Sequence, residues 1–412
     1  MAARSAAPAR SPSKAPARSP SAAPIPTAET QRSAPTGGAT NAFSANSAHT
    51  LNTNTTLDLA GFNQIIGSLA SAGGGGRVVT NSGATAAILT TGGNNTSTTF
   101  AGVIQDGAGA IGLIKAGAGT FTLSGTNTYT GGTTINAGTL SINSDARLGN
   151  VSGGLTFGGG TLQSTATFTS NRGVTVNAGG GGFNTSAGTL TLGGVISGSG
   201  PLTKSGVGTL ILTGTNTYSG TTTISANGGT LRGGATNAFS ANSAHILNTN
   251  TTLDLAGFNQ VIGSLASAGG AGTVTNSSAT AATLTAGGNN TSTTFSGVIQ
   301  DGAGTISLTK AGAGTFTLSG ANTYSGGTTI NAGALAITND NNLGDVTGGL
   351  TFGGGTLQTS GTVNSARGVT VSAGGGGFNT SAGTLTLGGV ISGSGPLTKS
   401  GAGTLILTGT NT

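Results

Sequence analysis

The chain has no cysteine and no tryptophan, a single methionine, 4% aromatic residues and 5% charged residues. Each shortage excludes something. Without cysteine there is neither a disulfide scaffold nor a thiolate metal site. A globular domain normally carries about 25% charged residues, so this chain cannot build concentrated acid, base or metal-ligand clusters in the usual way. No run approaches the roughly 18 apolar residues of a membrane helix. What the sequence has instead is glycine, 81 of 412 residues. Each glycine in a helix costs about 1 kcal/mol relative to alanine. The 34% apolar residues come in short bursts, a pattern that suits many short strands with a turn after each.

The net charge of +6 is unevenly placed. Residues 1–36 hold Arg4, Arg10, Lys14, Arg18 and Arg32 against Glu29, leaving nine basic and seven acidic side chains for the rest. The body is nearly neutral, without the basic face and stacking aromatics of a nucleic-acid binder. The Pro/Ala/Ser/Arg tract of 1–36 removes backbone donors and favours extended conformations, so it reads as a disordered tail. It is basic but has no apolar core segment, and as written it is not a secretory signal.

From residue 39 the chain duplicates itself. The segment ATNAFSANSAHTLNTNTTLDLAGFNQIIGSLASAG at 39–73 returns at 235–269 with two changes, Thr50 to Ile246 and Ile65 to Val261. The offset is 196 from His49 to His245 and 195 from Phe100 to Phe295, so one residue was dropped near Arg77. Two units are expected, 37–234 and 235–412, the second truncated. Within each unit a shorter motif recurs, KAGAGTFTLSGTNTYTGGTTINAGTLSI at 115–142 and KSGVGTLILTGTNTYSGTTTISANGGTL at 204–231, then again from Lys310 and Lys399. Fixed-period self-similarity is the mark of a solenoid.

Apolar residues alternate within the bursts: Phe121 and Leu123, Leu140 and Ile142, Leu155 and Phe157, Val174 and Val176, Leu190 and Leu192. Period two puts each pair on one face of a strand. The bursts end at Asn- and Gly-rich corners, where positive φ is tolerated. Hairpins in an antiparallel sandwich are the competing arrangement, but a linear repeat with few aromatics fits coils stacked in register. Val, Leu, Ile and Ala then fill a narrow core, with Thr and Asn in ladders outside or at corners. Roughly 20–25 residues per coil gives about 15–19 coils and, at ~4.8 Å each, a rod of about 70–90 Å. The repeat breaks off inside a motif at Thr412, and an uncovered strand edge invites association. The natural product is therefore expected to continue, or this chain to be a fragment.

At the level of the 115–142 motif, and of the accompanying GFNQIIGSLASAG and NNTSTTFAGVIQDGAG segments, the sequence resembles the autotransporter-associated β-strand repeat of Gram-negative passenger domains. The resemblance covers nearly everything from residue 37 onward. It implies a right-handed, single-stranded, pectin-lyase-like parallel β-helix displayed on the outer membrane or outside the cell. Family members carry a signal peptide and a C-terminal translocator barrel, which are expected only in a complete protein. The absence of cysteine agrees with a passenger that crosses the outer membrane unfolded.

Candidate chemistry is sparse. His49 and His245 are equivalent positions without a second His or an acid cluster and read as turn or surface residues rather than metal ligands. Asp58 and Asp254 lie at strand ends, and Asp106 and Asp301 in Asp-Gly turns. Lys115, Lys204, Lys310 and Lys399 recur before Gly-rich corners, without the carboxylates a pectin-lyase-like site needs. Gly179–Gly182 read as solenoid corners, since no helix follows to cradle phosphate. Thr120–Thr122 and Thr189–Thr191 are explained by strand propensity, although such arrays resemble the faces of ice-binding rods. No catalytic, cofactor or metal residue is assigned. The expectation is a non-catalytic stalk or adhesin whose partners are a host-cell or matrix surface, or another copy of itself. The alternatives are a carrier for an enzyme or toxin module outside this chain, or a non-functional gene fragment.

Overall fold

The computed structural model describes residues 35–270 and 272–412. Of the 1–36 segment read as a disordered tail, residues 1–34 lie outside the described residues. Pro35 and Thr36 already belong to the first coil. The Asp58 N–H donates to the Pro35 carbonyl, and Thr36 bridges to Asp58 in parallel.

Short period-two strands and Gly/Asn corners produce a parallel β-solenoid of about 16 turns, roughly 75 Å long at ~4.8 Å per turn. The strands stack in three columns. The first runs through Ala48–Leu51, Ser68–Ser71, Thr98–Phe100 and Thr120–Leu123 onward to Leu397–Ser400. The second runs from Gln64–Ile66 and Ala87–Thr91 to Ile391–Gly393, and the third from Thr56–Asp58 to Thr404–Leu407. Ladder partners lie 19 residues apart at Thr120 and Thr139, and 25 apart at Gln64 and Leu89, close to the expected period. Pairing is parallel, which excludes the hairpin sandwich. The described residues contain no α-helix; two 3-10 turns, Asp145–Leu148 and Asp340–Leu343, interrupt the third column.

The core is one continuous file of apolar side chains. Phe121, Leu140, Leu162 and Phe183 stack in register down the first column, all buried. Phe157 enters from the second column and meets Phe183 edge to face, ring centres 5.1 Å apart. Phe352 and Phe378 repeat the contact at 5.1 Å. Each such side chain removed from water contributes about 1.5–3 kcal/mol, and because neighbours touch only neighbours, stability accumulates coil by coil.

The ladders cross the boundary between the two sequence units without a break. Thr222–Ile224 pairs with Ala244–Leu247, and Gly229–Gly233 with Thr251–Asp254.

The four copies of the short motif do not all face the same way. Lys115 ends a second-column strand, Ile111–Lys115, whereas Lys204 lies in a first-column strand, Leu202–Ser205. Four ladder steps from Lys115, through Ile135, Phe157 and Val176, lead to Gly198. Lys204 lies one corner past Gly198, so the motif has rotated by a third of a turn. Lys310 returns to the second column and Lys399 to the first.

Candidate functional site

The short motif carries its polar chemistry inside the rod, not on it. Strand alternation turns Lys115 inward between Thr91 and Ile135 of adjacent coils, and it is 1% exposed. Its Nζ donates to the carbonyls of Ala116 at 2.5 Å and Gly117 at 2.7 Å in its own corner, and of Ala137 at 3.2 Å one coil on. Lys310 repeats this on Ala311, Gly312 and Ala332. Lys204 repeats it on Ser205, Gly206 and Gly228. Lys399, in an exposed strand, donates to Ser400 at 3.0 Å and Gly401 at 2.7 Å. Burial draws the ammonium groups of Lys115 and Lys204 down to about 8 and lowers that of Lys310. Each lysine therefore caps a corner whose carbonyls have no strand partner.

The Asn-Thr-Tyr of the motif is a second internal device. Asn127 accepts the Ile104 N–H at 2.8 Å from the coil before and donates to the Arg147 carbonyl at 2.6 Å in the coil after. Asn322 does the same between Ile299 and Asn342, and Asn216 between Ile196 and Ala238. Tyr129, Tyr218 and Tyr324 are fully buried, and their hydroxyls pair with Thr133, Thr222 and Thr328 at 2.6, 2.8 and 2.6 Å. Burial raises all three phenols, Tyr218 and Tyr324 to about 12.

The sequence reading placed apolar side chains in a narrow core, with Thr and Asn outside or at corners. Lys, Asn and Tyr inside correct it. A triangular coil turns three times, and each turn leaves inward carbonyls and amides that apolar side chains cannot satisfy.

Three arginines, Arg77, Arg172 and Arg367, are buried, and the ion pairs that the last two make were also missed. Arg172, 2% exposed, donates through Nε to Asp145 Oδ1 at 2.8 Å and through a terminal nitrogen to Oδ2 at 3.2 Å. It also donates to the carbonyls of Gly149 at 2.6 Å, Gly153 at 2.8 Å and Asn150. Arg367 holds Asp340, Gly344, Gly348 and Asp345 alike. Each clamps a 3-10 turn and the loop after it. The available signal was the return of both Arg172 and Asp145 at the 195-residue offset.

The singled-out acids tie successive coils together. Asp58 accepts the N–H groups of Ala60 and Ser82, each at 2.9 Å, and the Ser82 hydroxyl at 2.6 Å. Burial pushes its carboxyl up, but these three bonds outweigh that and hold it below its ordinary value. Asp254 repeats the arrangement with Ala256 and Ser277 and meets Arg232 at 3.4 Å. Asp106 binds Ile111 and Thr130, and Asp301 binds Ile306 and Ser325.

The histidines part company. His49 is half-buried on the first coil, whereas His245, with Thr222 stacked before it and Leu265 after, is fully buried. A surface reading therefore fails for His245, because the first unit covers it. Gly179–Gly182 form a corner and the start of a strand; with Gly159, Gly160 and Pro201 they line a shallow groove of about 230 Å³. Its counterpart at Gly374–Gly377 measures about 220 Å³. No group of three or more His, Asp or Glu side chains that could hold a metal ion occurs among the described residues.

A parallel β-solenoid whose repeating motif supplies its own internal caps defines the class of protein. The Passenger-associated-transport-repeat family matches residues 113–142, 202–232, 308–337 and 397–412, the segments that carry the motif Lys and the Asn-Thr-Tyr or its beginning. These four segments carry the repeat of autotransporter passengers, and the chain is similar to such proteins there. A 55-residue stretch is 49% identical to the Adhesin BmaC autotransporter of Brucella suis biovar 1 (strain 1330), covering 13% of this chain and 2% of that relative's length. No solved structure matches the chain.

Proposed function

We propose that this chain is a non-catalytic length of passenger rod that projects or forms an adhesive surface outside a Gram-negative cell. The observation that carries this reading is where the charge goes. Lys115, Lys204 and Lys310, the Arg172–Asp145 and Arg367–Asp340 pairs, and Asp58, Asp106, Asp254 and Asp301 are all engaged in capping backbone or linking coils. Groups committed in this way are poor general acids or bases, because moving their protons unmakes a corner. The similarity to an adhesin supports the adhesive half of the proposal, and a host-cell surface, matrix or second copy of the chain is the partner class.

The test incubates the purified chain with host cells, matrix components and acidic polysaccharide. Saturable binding to cells, matrix or itself, with polysaccharide left intact, is the expected result. Polysaccharide cleavage that disappears on substituting particular residues overturns the proposal and favours a carrier with its own chemistry.

A further inference from the structure

The coil that opens the second unit contains a buried titratable group with no electrostatic partner. His245 is 0% exposed. Its Nδ1 lies 3.1 Å from the Ser243 carbonyl, so Nδ1 carries the hydrogen and donates it. Its Nε2 is buried without a hydrogen-bond partner. The groups facing the ring are Thr222 from the preceding coil, Leu265 from the following coil, and the Phe239 ring at 5.7 Å. The nearest titratable group in this network is Tyr218, whose hydroxyl reaches Thr222 at 2.8 Å, while Thr222 in turn meets Ser243 at 2.9 Å. That phenol stays neutral in acid. Asp254 lies a corner further along the coil, held by Ala256, Ser277 and Arg232. Among the described residues, therefore, no carboxylate stands ready to receive an imidazolium.

We propose that His245 makes the seam between the two repeat units an acid-opened joint. A proton added at Nε2 favours separation of strand 244–247 from its neighbours at 222–224 and 264–267.

Burial lowers the His245 imidazole to about 4 from an ordinary 6.5. The opened coil binds its proton near 6.5 and the closed coil only near 4, so the closed state is fully favoured above that window and loses ground as pH falls through it. Burial also lowers the His49 imidazole, against the Ser47 carbonyl that raises it, but His49 is only half-buried, and among the described residues no preceding strand pairs with its own. The joint is thus specific to the internal copy.

The chain contains only two histidines, so their imidazole NMR signals can be followed separately in the full chain, with His49→Gln assigning them. Amide hydrogen exchange, corrected for intrinsic rates, is measured alongside between pH 7 and pH 4. The expected result is a His245 signal that does not titrate near 6.5, with protection at 222–224, 244–247 and 264–267 falling by on the order of 100-fold between pH 6.5 and 4.5 while the 155–176 strands keep theirs. His245→Gln and His245→Leu should abolish the selective loss. A His245 that titrates near 6.5 with protection unchanged overturns the proposal, as does a uniform loss along the rod. If neither variant folds, the wild-type titration and exchange map decide alone.

Discussion

Lys115 and Lys204 hold the same place in the repeat motif yet enter the rod from different columns, the second and the first. Both still reach three backbone carbonyls, so the corner chemistry travels with the motif and not with a face of the rod. Replacing either lysine with methionine keeps the apolar stem and strands three inward carbonyls. Lys115→Met and Lys204→Met should each lower stability by about 2–4 kcal/mol, read as a shift in urea midpoint. Lys399→Met, in an exposed strand, should change it far less.

The buried lysines also set an alkaline signature. Burial holds Lys115 and Lys204 near 8, whereas the unfolded chain keeps its lysine protons to about 10.4. Between those values the unfolded state binds more protons, so stability rises with pH. Urea midpoints measured from pH 8 to 10 should increase, and the increase should shrink in Lys115→Met.

Removing Arg172 leaves Asp145 and several carbonyls without their partner. Arg172→Met should cost about 3–5 kcal/mol and expose 145–153 to protease before the rest of the rod. Arg172→Lys should not restore protection, because a single ammonium cannot reproduce the planar fork of donors.

Ala60 and Ala256 occupy the left-handed region, with φ of 50° and 51°, at the same corner of each unit. A side chain there costs about 1–2 kcal/mol that glycine avoids, partly offset by the entropy glycine loses on folding. Ala256→Gly should therefore raise the thermal midpoint, by an amount corresponding to about 0.5–1 kcal/mol. Ala256→Val should lower it.

The solenoid was legible because its main signal is local: pairs such as Leu155 and Phe157 mark strands, and the 195-residue echo marks a repeat. The interior of the motif was not. Lys115 looks like any surface lysine before a glycine corner, and only the position of Ala137 one coil later shows what its ammonium meets. The exposure of His245 could not be read for the same reason, since its cover comes from Thr222 in the other unit. The rotation between Lys115 and Lys204 depends on how many residues each coil takes, a number that varies from corner to corner.

The rotation is undone over a whole unit. Phe121 and Phe316 share the first column, about nine coils apart, which is roughly 40 Å of rod. Near-identical tandem copies are natural partners for unequal recombination. An exchange in this phase would lengthen or shorten the reach of the protein in 40 Å increments while every surviving face keeps its compass bearing. Insertion of the shorter motif spacing alone would swing everything beyond it to a new azimuth.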